Sequence, residues 1–216
     1  HRFGLVGEPP AALAAPLDFR GEVSGTSFKD SREAKGSFYV RLDYADVTQW
    51  REWIPLLRPA EAGKGALRVW FDFAEGRATD VVADVELTDV SVRLARNLPQ
   101  LDLDHVGGRI TWKAEAGRRE LAAKGLTFKP RRGEQLAPVT FALALDEAAD
   151  GAIVGGRASF DRLEVAPLSV LAEHLPLPEP WRRDLATFAL RGSVSDGKLS
   201  WQGPPDAPTK FSGSGA

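Results

Sequence analysis

The chain has 216 residues, 43% hydrophobic and 27% charged, which is enough to bury one large core or two small ones and argues against wholesale disorder. Net charge is −2, with 28 Lys and Arg against 30 Asp and Glu spread along the chain, so the basic stripe of a nucleic-acid binder is excluded. There is no cysteine, hence no disulfide, no thiolate chemistry and no cysteine metal site, and no apolar run reaches the roughly 18–20 residues that span a bilayer.

The chain opens on His1 and contains no methionine, which reads as a segment of a longer protein. "GEPPAALAAP" (7–16) predicts an extended lead-in, because paired prolines neither hold a helix nor donate to a ladder. Period-two alternation then dominates. "ALRVWFDFA" (66–74) places Leu67, Val69, Phe71 and Phe73 on one face of a half-buried strand, with Arg68, Trp70 and Asp72 on the other. "VVADVELTDVSVRL" (81–94) carries its apolar set at Val81, Val85 and Leu87 and then at Val90, Val92 and Leu94, a change of parity that needs a bulge or bend near Thr88–Asp89. "VGGRITWKAEA" and "RELAAKGLTF" follow as strands, then "PVTFALAL" (138–145) with Val139, Phe141, Leu143 and Leu145 on one face. "GGRASFDRLEV", "ATFALRGSV" and "GKLSWQG" complete a meander of about ten antiparallel strands.

Two stretches break this rhythm and match each other. "RLDYADVTQWREWIP" (41–55) returns without a gap as "RLEVAPLSVLAEHLP" (162–176), Leu163 standing 121 positions after Leu42. In the first, Asp46 caps a short helix with Gln49 three residues on, Val47, Trp50 and Ile54 form its apolar stripe, and Pro55 stops it. In the second, Pro167 suits the first helical position, Leu168, Leu171 and Leu175 take the same slots, and Pro176 stops it. The turn Glu75-Gly76-Arg77 meets Asp196-Gly197-Lys198 at the same offset. The expected unit is strand, capped helix, strand, turn, strand, repeated along one axis.

Chemistry is sparse. His105 in "LDLDHVGG" has Asp102 and Asp104 nearby but no second histidine, and reads as a solvated turn; His174 falls on the rim of the second helix. Arg118–Arg119 and Lys129-Pro130-Arg131-Arg132 sit beside turn signals as exposed loops. Gly107–Gly108 and Gly155–Gly156 lack phosphate-loop spacing and read as strand bends or starts. No nucleophile elbow or metalloprotease helix occurs, so no catalytic residue, metal site or cofactor is assigned. The six tryptophans pack helices on a sheet or form a sugar platform, the first being the ordinary use.

"LDYADVTQWREWIPLL", "LDLDHVGGRITWKAEAG" and "LEVAPLSVLAEHLPLP" resemble the middle region of YhdP-type proteins of the AsmA-like superfamily, over roughly residues 36 to 205. The resemblance implies a segment of a bridge-like lipid transfer protein of the Gram-negative envelope, anchored in the inner membrane outside this segment and extending through the periplasm. It implies phospholipid acyl chains and neighbouring repeats of the full-length chain as partners, with no nucleic acid and no enzymatic activity. The expected fold is mainly β: an extended, strongly twisted antiparallel sheet curled into a groove or half-open sandwich, with two short helices. A lead-in (1–16) precedes a first β-groove repeat (17–130) and a second (131–216) continuous with it. Leu67, Val69, Phe71, Phe73, Val139, Phe141, Leu143 and Leu145 are the candidate groove wall, and Val47, Trp50, Ile54, Leu168, Leu171 and Leu175 pack the helices. The same alternation equally serves a plain closed core or a ligand-binding β-sandwich that takes envelope glycan or a protein partner.

Overall fold

The computed structural model describes residues 1–11, 14–25, 34–50, 59–132, 135–164, 171–174, 179, 182–183, 192–205 and 207–216. They form one antiparallel sheet of eleven strands paired strictly in chain order: β1 (Arg2–Gly7), β2 (Leu17–Ser24), β3 (Lys35–Asp46), β4 (Ala60–Ala74), β5 (Arg77–Val92), β6 (Leu101–Glu115), β7 (Arg118–Pro130), β8 (Val139–Glu147), β9 (Ile153–Glu164), β10 (Ser193–Gln202) and β11 (Lys210–Ser214). The sheet does not close, and β1 and β11 are its two edges. No strand leaves for a second sheet among the described residues, and the single open sheet is compatible with a groove. Alternating strands joined by short turns pair with their sequence neighbours, and nothing in this chain order returns a strand to the first edge.

β1 occupies part of the expected lead-in. It pairs with β2 from Arg2↔Glu22 to Gly7↔Leu17, and the proline pair begins only after it. The expected boundary at 130/131 falls between β7 and β8, which pair directly from Arg118↔Asp146 to Leu126↔Val139. At β4–β5 the turn Glu75-Gly76 has φ of 54° and 72° between the paired residues Ala74 and Arg77, the left-handed backbone of a tight two-residue hairpin. The parity change in β5 is present as expected. Asp89 has φ of 51°, and the β4–β5 register shifts between Ala62 and Lys64 beside it.

The first helix, α1 (Val47–Trp50), follows β3, and its expected cap is formed: the Asp46 carboxylate accepts the Thr48 N–H at 3.1 Å and the Thr48 hydroxyl at 2.6 Å. Of the second helix only Leu171 and Ala172 are described as helical. Ile54, Leu168 and Leu175 lie outside the described residues. The longer repeat fails at its turn. Asp196-Gly197-Lys198 is not a hairpin but lies inside β10, and what it shares with Glu75 is only the left-handed backbone of the acid, φ 51° at Asp196. An acid-Gly-base triplet supplies a positive φ, and the lengths of the flanking strands decide whether that becomes a turn or an irregularity within a strand.

Candidate functional site

The register assembles one face with two uncharged rows. Directly opposed residues run Leu5, Phe19, Val40, Val69, Ala83, Ile110, Ala123, Phe141, Phe160 and Gly197 from β1 to β10. A second row runs Phe3, Gly21, Phe38, Phe71, Val81, Trp112, Leu121, Leu143, Ala158, Leu199 and Gly213, crossing all eleven strands without a charge. Ten inter-strand steps of about 4.8 Å make this face about 48 Å long. Leu67, Val69, Phe71, Phe73, Phe141, Leu143 and Leu145, singled out from two strands far apart in sequence, all fall on it and are half-buried. No large side chain among the described residues is fully buried. Away from one end of the strands, nothing else in the described residues covers these apolar groups.

At one end of the strands the face is covered. The connections after β1, β3, β5, β7 and β9 all lie on that rim, and each tucks an apolar residue inward: Ala14, Val47, Leu98, Leu136 and Leu171, exposed by 2%, 2%, 3%, 3% and 4%. Leu42, Ala45, Val90, Leu103 and Val139 are buried beneath them, so Val139 stands where the candidate wall meets this closed rim. An apolar recess of about 300 Å³ opens beside it, between Leu126, Phe128, Leu136, Phe141, Phe160 and Leu171. The other rim carries only turns between β4 and β5, β6 and β7, β8 and β9, and β10 and β11 in its described part.

Aromatic rings lie over glycines of the adjacent strand. A Cβ at Gly21 would meet Phe3 and Phe38, one at Gly36 would meet Phe73, one at Gly197 would meet Phe160 and one at Gly156 would meet Trp201. At the β1–β4 end the rings form a ladder, with Phe19–Phe38 centroids 5.5 Å apart, Phe38–Phe71 4.9 Å and Phe38–Phe73 5.4 Å. Phe3, Phe19, Phe38, Trp112, Leu121 and Phe160 were not anticipated as lining residues. Inner-face glycines interrupt the alternation next to several of them, and their apolar partner is supplied by a neighbouring strand rather than by their own.

The opposite face is polar. Arg109 makes a bidentate pair with Asp84 at 2.6 and 2.8 Å, which holds the Asp84 carboxyl below its ordinary range. Between its charged rows runs Arg20, Tyr39, Trp70, Val82, Thr111, Ala122, Ala142, Ser159 and Lys198. A hollow of about 680 Å³ lies on this face. It arises because Ala122, Ala142, Ala144 and Ser159 are small, and Arg118, Arg157 and Lys198 border it. Width alone therefore does not identify the apolar site. His105 is in β6 and not in a turn, its Nε2 2.6 Å from Glu86 Oε1 on the polar face. Asp102 accepts the buried Ser91 hydroxyl and the Gln100 amide, which lower its pKa. Neither arrangement provides a nucleophile with a base. Among the described residues no group of three His, Cys, Asp or Glu is placed to hold a metal, and no helix is long and apolar enough to cross a membrane.

A family model described as "YhdP protein" matches residues 1–215. The chain belongs to the YhdP family. This is an AsmA-like, envelope-associated family related to lipid transport and generally without enzymatic activity. No curated protein and no solved structure matches the chain.

Proposed function

We propose that the chain is a non-enzymatic segment of a periplasm-spanning phospholipid transport protein, and that its apolar sheet face shields acyl chains in transit. The observation that carries this reading is the uncharged row across all eleven strands on a face that stays half-exposed. Each methylene moved from water onto such a surface gains about 0.8 kcal/mol when fully buried, so an acyl chain binds without any specific polar contact. Absence of polar contacts along the rows also lets a chain slide from strand to strand without breaking hydrogen bonds. Leu67, Val69, Phe71, Phe73, Phe141, Leu143 and Leu145 form the wall, and Val139 the end of it. The two edge strands, with Phe3, Leu5 and Phe211 exposed by 44%, 57% and 53%, are where neighbouring repeats of a longer chain would continue the sheet. The protein so assembled is periplasmic, with an inner-membrane anchor outside this segment.

Native mass spectrometry of the segment purified from a bacterial envelope, followed by lipid extraction, tests the proposal. Phospholipid at a defined stoichiometry is the expected result. An apo mass that takes up no lipid from added vesicles leaves the segment as scaffold only.

A second reading rests on Trp70, 38% exposed on the polar face, with its ring centroid 5.3 Å from Tyr39 and the Arg109 guanidinium 5.9 Å above it. Such a cluster suits a glycan or protein partner on the outside of the sheet. Loss of partner binding in Trp70→Ala with lipid content unchanged separates this role from the first.

A further inference from the structure

The two rims of the apolar face differ in chemistry, and we infer from this the orientation of the bound lipid: chain ends toward the closed rim, esters and headgroup toward the hairpin rim. The inference rests on the acyl-chain reading above. At the closed rim, the described residues Leu98, Leu103, Leu136 and Leu171 are buried and apolar, and the apolar recess sits there. A phosphate placed at that end would be desolvated without a partner. At the hairpin rim the last inner row runs from Ala114 on β6 through Arg119 on β7 to Trp201 on β10, with Trp112 one row further in. Arg119 is opposite Leu145, is half-exposed and pairs with Glu147 at 2.8 Å. The buried indole Nε1–H of Trp201 has no hydrogen-bond partner. Tryptophan with a nearby arginine is the side-chain set that settles at the boundary between hydrocarbon and headgroup, where one end of the ring is apolar and the other meets carbonyls and water.

The dimensions agree. Val139 at the recess and Leu145 opposite Arg119 are six residues apart on β8, about 20 Å along the strand. One leaflet's hydrocarbon measures about 15 Å, half of a bilayer core of about 30 Å. A phospholipid laid along the strands with its methyl ends at the recess therefore places its esters just short of Arg119 and Leu145 and its headgroup at the turns. Transfer then proceeds sideways across the strands, every lipid keeping one orientation, because each successive strand pair repeats the same closed and open ends.

The absence of cysteine makes the test direct. Two single-cysteine variants of the whole chain, Leu145→Cys near the hairpin rim and Phe128→Cys beside the recess, are labelled with one fluorophore. Each is loaded with phosphatidylcholine bearing a nitroxide near the ester or near the methyl end of one chain. The expected result is severalfold stronger quenching of the Leu145→Cys label by the ester-proximal nitroxide, and the opposite preference for Phe128→Cys. Equal or inverted quenching overturns the orientation and leaves the acyl-chain reading standing. No quenching of either label by either lipid, with circular dichroism unchanged, overturns both. Trp201→Phe supplies an independent readout. It keeps the ring and removes the donor, so uptake of ester-linked lipid falls several-fold while uptake of a plain alkane is unchanged; an equal loss of both would show the indole acting by packing alone.

Discussion

Replacing Phe71 with glutamate separates an open apolar face from a closed core. Phe71 is half-buried, opposes Val81, and its ring stacks on Phe38 at 4.9 Å. A fully buried phenylalanine contributes about 1.5–3 kcal/mol and an aromatic pair about 0.5–1.5 kcal/mol, so losing a partly exposed ring with one such pair costs about 2–3 kcal/mol. The new carboxylate keeps its hydration because the face is open, and the several kcal/mol charged to a buried unpaired ion do not arise. A protein with a usual stability of about 5–15 kcal/mol survives that loss folded. Leu42→Glu is the contrast, since Leu42 is 6% exposed beneath the closed rim and a charge there has no access to water. Urea unfolding followed by circular dichroism gives the stability, and native mass spectrometry after vesicle incubation gives the lipid content. The expected outcome is a folded Phe71→Glu that takes up little or no lipid, beside an unfolded Leu42→Glu. If Phe71→Glu unfolds as Leu42→Glu does, the face is a core, and if it stays folded with full lipid content the acyl chains lie elsewhere.

Other perturbations address the frame around the face. Gly65 has φ of 151° and a Cβ there would overlap the Glu86 carbonyl oxygen, so Gly65→Ala lowers stability by more than about 2 kcal/mol in urea unfolding. Leu136→Ala removes a 3%-exposed anchor of the closed rim and costs about 2–5 kcal/mol, with the range set by how far the connection collapses. Acid dependence follows from Asp102, whose pKa is lowered chiefly by the Ser91 hydroxyl and then by the Gln100 amide. The unfolded chain binds its proton first as pH falls, so this stability is present above the ordinary carboxylate range of about 3.9 and is lost as pH drops through the lower folded value. Asp102→Asn flattens the fall of the urea midpoint between about pH 5 and pH 2; an unchanged slope assigns the acid sensitivity to other carboxylates.

How far this arrangement is legible from sequence differs from strand to strand. β4 and β8 carry bulky apolar residues at every second position, and each set shares one face of the sheet, which needs nothing but pleat periodicity to be legible. The β5 bulge is legible for the same reason, since a change in parity has only one backbone remedy. β9 and β10 are harder. Gly156 and Gly197 stand at inner positions, and their apolar cover comes from Trp201 and Phe160 on the partner strand, a relation that exists only once register is known. Leu98 and Leu136 look like isolated leucines among turn residues until the connections are seen to share one rim. β1 is hidden because its six residues precede two prolines and have only one neighbour to pair with. The duplicated phrase at 41 and 162 marks two places where a strand reaches the closed rim, but the correspondence does not survive to the next turn.

The glycine under Phe160 offers a way to change the shape of the apolar face without adding charge. Gly197 is buried, its backbone is not in the left-handed region, and a methyl group there would strike the far edge of the Phe160 ring. The ring is the side that yields, because its tip turns about two side-chain torsions while the sheet backbone of Gly197 is held by its ladder to β9. Gly197→Ala thus has the cost of modest overpacking, about 1–3 kcal/mol, and leaves the sheet folded. The displaced ring lifts off the floor into the recess it lines with Phe128, Phe141 and Leu171. Rings lying flat on glycines keep the face shallow and wide; a ring raised from it narrows the path across β9 and β10. Lipid retention therefore falls in Gly197→Ala more than the small stability loss accounts for, and Gly197→Ala combined with Phe160→Leu, which removes the ring, recovers it. A double variant that stays lipid-free would show that the width of the floor at this point is not what admits the chain.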